Sequence, residues 1–108
     1  MKNFDRKSKY YPPNQSWTGS SAWAFEVPLG KLHELNEDGT VTLRCQLAEN
    51  PLEYRNLRVP VEFLKSHLSD FFIRNDRNAI SLFLSAEPSN EFVEQRGKQK
   101  IDFSEFEI

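Results

Sequence analysis

The chain has 108 residues, 38% hydrophobic and 28% charged, with a formal net charge of −2 at neutral pH. That length holds one hydrophobic core, and the charge balance weighs against a dedicated nucleic-acid binder with a wholly basic face. The single cysteine, Cys45, rules out an internal disulfide framework, and no apolar run reaches the roughly 18 residues of a membrane span, so a cytoplasmic protein away from the membrane is expected.

Residues 1–20 carry Lys2, Arg6, Lys7 and Lys9 against Asp5, then Tyr10, Tyr11, Pro12-Pro13 and Trp17, with no helical or strand period. Tandem prolines block a helix, and the segment is expected to be a flexible polar and aromatic tail ahead of a single domain over 21–108. In Ala22 to Val27, Trp23, Phe25 and Val27 alternate with Ala24 and Glu26, the pattern of a strand with one buried face. Pro28 then opens a short helix over about 28–35, with Leu29, Leu32 and Leu35 at a spacing of three.

Thr40 to Leu47 gives the cleanest alternation in the chain, Val41, Leu43, Cys45 and Leu47 against Thr40, Thr42, Arg44 and Gln46. Tyr54 to Val59 is a second strand of that kind, with Leu57 and Val59 inward. Pro60 suits the first position of a helix, and Val61, Leu64, Leu68 and Phe71 or Phe72 follow at helical spacing, so the main helix is expected over about 61–72. Ala79 to Ala86 is apolar on both faces, as a central strand is. Lys100 to Ile108 reads as a last strand, with a bulge near Ser104 where the apolar register shifts.

The order β-α-β appears twice, then a C-terminal strand. An α+β domain is expected, with a small, mostly antiparallel sheet or a partly open barrel of about five to six strands. The steps Val27-Pro28 and Val59-Pro60, with their flanks, locally resemble the swapped-hairpin and pseudobarrel DNA-binding domains, in which a strand runs through an Ile/Val-Pro step into a short helix. Where those domains usually carry basic residues after the proline, this chain has Leu29-Gly30 and Val61-Glu62. The first helix is short for a parallel crossover, which favours the barrel over a ferredoxin-like sandwich.

Catalytic patterns are sparse. His33 and His67 stand alone, and with one cysteine no zinc spacing is available, so no metal or cofactor is expected. Cys45 falls on the apolar face of its strand, where a thiol is inert. Four glycines form no phosphate-cradling run. The expectation is therefore a non-enzymatic protein-interaction module, of accessory, inhibitor or immunity type, acting through its surface and the tail residues Tyr10, Tyr11 and Trp17. The alternative is a nucleic-acid-binding small barrel using Arg44, Arg55 and Arg58, with Tyr54 as a stacking surface and the basic tail as a clamp.

Overall fold

The computed structural model describes residues 2–108. Its backbone is an α+β domain of two three-stranded sheets. The first sheet joins β1 (Asn3–Ser8), β3 (Thr40–Gln46) and β4 (Tyr54–Pro60), with β3 in the middle. The second joins β2 (Ala22–Pro28), β6 (Ala79–Ser85) and β5 (Phe72–Arg74), with β6 in the middle. β1 runs parallel to β3; every other pairing is antiparallel. The sheets do not close into a barrel.

Alternation sets which face each strand buries. Val41, Leu43 and Cys45 of β3 pair across the ladder with Val59, Leu57 and Arg55 of β4, and all but Arg55 are fully buried. Phe25 and Val27 of β2 pair with Leu82 and Ile80 of β6. These inner faces meet in one core, completed by Leu32, Leu64, Phe92 and Phe103. Burying each such side chain contributes about 1.5–3 kcal/mol, which is what holds two small sheets together.

Both helices start the same way. Pro28 and Pro60 end their strands in extended backbone (ψ 133° and 138°) and take the N-cap position of α1 (Leu29–Glu34) and α2 (Val61–Ser66). The first amide of each helix donates to a carbonyl in the turn before the paired strand, Leu29 N to Asn78 O and Val61 N to Gly39 O, both at 3.0 Å. The doubled strand-Pro-helix pattern is thus a doubled hydrogen-bonding device.

Three expectations change. The segment expected to be a tail carries β1, whose register runs from Asn3 opposite Thr40 to Ser8 opposite Cys45. Its burial comes from tertiary contacts: Phe4 packs on the core and the buried Ser8 hydroxyl accepts the Ala24 amide at 2.8 Å. The main helix ends at Ser66, not near Phe72. His67 leaves helical geometry (φ −109°, ψ 13°), a 3-10 turn covers Leu68–Asp70, and Phe72–Arg74 becomes β5 because Ile73 pairs with Ile80. The last strand is replaced by single bridges, Val93 with Asp102 and Leu57 with Glu107, around a 3-10 turn at Ser104–Phe106. That turn produces the shift of apolar register read as a bulge, since it sends Phe103 and Phe106 together onto Phe63.

Candidate functional site

The second sheet turns its outer face to solvent, and that face floors a groove of about 680 Å³. β2 supplies Ala24 and Glu26, which pair with Phe83 and Ser81 of β6. β5 adds Phe72, opposite Ser81, and Arg74, opposite Ala79. Three other segments build the walls.

The first wall is the stretch before β2. Tyr11 forms a two-bond bridge with Ala22, its amide donating at 2.9 Å and its carbonyl accepting at 3.0 Å. Between the bridge and β2, a 3-10 turn at Pro13–Gln15 and a left-handed Gly19 (φ 78°) fold the chain back, with Ser16, Thr18 and Ser20 hydrogen-bonded among themselves. This places Trp17 over the sheet. Its indole stacks on Phe83 with ring centroids 5.1 Å and planes 18° apart, Tyr11 abuts it at 5.5 Å, and 69% of the residue stays exposed.

The second wall is Arg96, set by a buried carboxylate. Glu94 is fully buried. One of its oxygens accepts the Phe83 amide at 2.8 Å, and the carboxylate also accepts the amides of Arg96 and Gly97. So fixed, the Arg96 guanidinium lies 4.0 Å from the Phe72 ring centroid and 4.7 Å from that of Phe83, and donates to Ser81 Oγ at 2.9 Å. β1 adds Arg6, and the turn after β5 adds Arg77.

The groove is lined by four arginines, Arg6, Arg74, Arg77 and Arg96, and one carboxylate, Glu26; Lys7 lies at its edge, with its amine turned to the Tyr54 ring. Arg74 donates to Glu26 at 2.9 Å and to Asp76 at 2.8 Å, and Asp76 is held below the usual carboxylate range by that contact. Arg77 sits 3.7 Å from Glu26. Arg6, Lys7 and Arg96 have no carboxylate partner among the described residues.

Of the residues singled out in the sequence, the groove takes Trp17, with Tyr11 behind it. Tyr10 is structural: it meets Trp23 edge-on at 6.5 Å, and its amide donates to Gln46 Oε1. The three arginines do not make one patch. Arg44 and Arg58 share the outer face of the first sheet with Tyr54, where Arg44 pairs with Asp5 at 3.3 Å and Lys7 Nζ approaches the Tyr54 ring at 5.8 Å. Arg55 points to the other side of β4, held by Glu91 and by Glu107 (2.7 Å) above the Phe92 ring. Arg74 ends β5, and Arg77 and Arg96 come from a turn and a loop, so no sequence period brings the three together.

Cys45 is buried, and burial drives its thiol well above the ordinary range. His67 Nδ1 lies 3.3 Å from Asp70, against Phe63. Among the described residues no three His, Cys, Asp or Glu side chains are grouped to hold a metal ion. Among the described residues, no helix is long and apolar enough to cross a membrane. Comparison with protein-family models, with curated proteins and with solved structures finds no match to this chain.

Proposed function

We propose that the protein is a non-enzymatic binding module that holds an anionic partner in the groove on the outer face of the second sheet. One observation carries this reading: a chain of net charge −2 lines one groove with four arginines and a single carboxylate, over an aromatic floor. Cationic groups clustered in a concavity raise the local concentration of an anion and speed its capture. The buried thiol of Cys45 and the engaged ring of His67 support binding rather than chemistry. An acidic protein segment and a nucleic acid both answer to that charge; the sequence suggests a protein partner, with nucleic acid as the alternative.

Heparin-affinity chromatography tests the groove as the anion site. The wild-type protein is expected to be retained at low salt and to elute as salt rises. A groove variant, R6E/R77E, is expected in the flow-through, while R44E/R58E on the opposite sheet elutes as the wild type does. Retention lost by the second variant and kept by the first would place the anion site elsewhere.

A further inference from the structure

We infer that the partner held in this groove is a single-stranded nucleic acid, an inference that rests on the groove being the binding site. Charge alone does not choose between an acidic peptide and a polynucleotide; the flat surfaces do. Trp17 lies parallel to Phe83 with its outer face open, so the pair is a stack that lacks its next layer. The same Phe83 ring, together with Phe72, carries the Arg96 guanidinium, with only its Ser81 bond used. Planar indole and guanidinium surfaces beside free cations are what a base and its phosphate require together. Carboxylate side chains would use the cations and leave the indole face wet.

Duplexes fit less well. Their base faces are already stacked, so Trp17 would have nothing to cover. An unpaired strand splays its bases, and it can lay one on Trp17 while its phosphates meet Arg6 and Arg96. Stacking of this kind tolerates any base, so affinity is expected to depend weakly on sequence.

The test is fluorescence anisotropy with 5′-fluorescein-labelled 12-nucleotide oligothymidine and oligouridine, the matching duplex, and a labelled glutamate dodecapeptide. The single strands are expected to bind more tightly than the duplex and the peptide. The slope of log K against log salt should be about −1.4, as for two neutralised phosphates on a single strand. Trp17→Ala is expected to weaken binding about 5- to 100-fold at constant salt, with Trp17→Phe restoring most of it. Trp17 is largely exposed, so both variants should fold, which circular dichroism checks. Oligonucleotide binding untouched by Trp17→Ala overturns the inference. Binding of the glutamate peptide with no binding of single strands also overturns it, yet leaves the groove as the anion site. Binding of neither probe removes both readings.

Discussion

Trp17 lies flat on Phe83, with planes 18° apart, although one ring comes from a turn before β2 and the other from the central strand of the second sheet. Phe83 also faces the Arg96 guanidinium at 4.7 Å, so a single ring seats both flat elements of the groove. Phe83→Ala should remove both seats at once. The expected cost is about 1–2 kcal/mol, from one aromatic pair and part of a buried face. Urea denaturation reads the stability. Acrylamide quenching reads the freed indole of Trp17 against the buried Trp23, and unchanged quenching would mean that Phe83 does not hold Trp17.

Arg55 ties the C-terminal residues to β4 through Glu107, and Ile108 N donates to Asn56 O beside it. Hydrogen bonds from Arg55 hold the Glu107 carboxyl below its ordinary range. A carboxyl depressed in the folded state adds stability that is present above its unfolded pKa, near 4.3, and is lost as pH falls through the lower folded value. Arg55→Met should therefore lower stability at pH 7, by about 1–2 kcal/mol, and shrink the fall seen below about pH 4.5. Denaturation series at pH 7, 5, 4 and 3 on Arg55→Met and Glu107→Gln check this. Parallel curves for Arg55→Met and wild type would contradict it.

Two glycines should respond to alanine with opposite signs. A Cβ on Gly97 would lie 2.3 Å from the Asp70 carbonyl oxygen and 3.2 Å from Phe71 Cα, both backbone, so Gly97→Ala should cost about 1–3 kcal/mol. The same change would disturb the amides that Glu94 holds, and with them Arg96. Gly30 lies within α1 with nothing within 4 Å of its would-be Cβ. Gly30→Ala should stabilise by about 0.5–1 kcal/mol, since alanine is the better helix former. Thermal melts of the two variants distinguish the signs directly.

These contrasts also show what a sequence carries. β2, β3, β4 and β6 were legible because each alternates or saturates its apolar positions, as burial of one or both faces requires. β1 was not, because Phe4 is the one apolar residue in Asn3–Ser8 and its pairing depends on β3. The helix from Val61 ends earlier than its spacing suggests, because Leu68 and Phe71 keep helical spacing while serving a 3-10 turn and the extended residue that ends it, ahead of β5. The site was half legible. Trp17 stood out as an aromatic in a polar stretch, but the arginines opposite it converge from separate segments, and Glu94, which orders one of them, looks like any surface glutamate until its burial is seen.

Cys45 gives a clean probe of opening. It is fully buried opposite Arg55, and burial is the chief cause of its raised thiol pKa. The thiolate is the reactive form, so iodoacetamide at pH 8 should label the folded protein only through opening of the core. Labelling should track the unfolding equilibrium measured in urea. Fast labelling in native buffer would show that β3 is open on its own.

The N-terminal segment offers the sharpest test, because the sequence and the structure disagree about it. A flexible tail contributes nothing to the fold, and its removal would leave the unfolding midpoint in place. The structure assigns it several jobs. β1 completes the edge of β3, Phe4 packs on the core, and Ser8 Oγ takes the otherwise open amide of Ala24. Asn3 Oδ1 accepts the hydroxyls of Thr40 and Thr42 at 2.7 and 3.0 Å. A chain lacking residues 2–9 should lose about 2–4 kcal/mol, from part of a Phe burial and a ladder of net-favourable hydrogen bonds. It should also expose the β3 edge to self-association, which sedimentation would detect. Because Arg6 and Lys7 leave with the strand, its retention on heparin should fall more than Trp17→Ala makes it fall. An unchanged midpoint with wild-type retention would return the segment to the status of a tail and remove one wall of the groove.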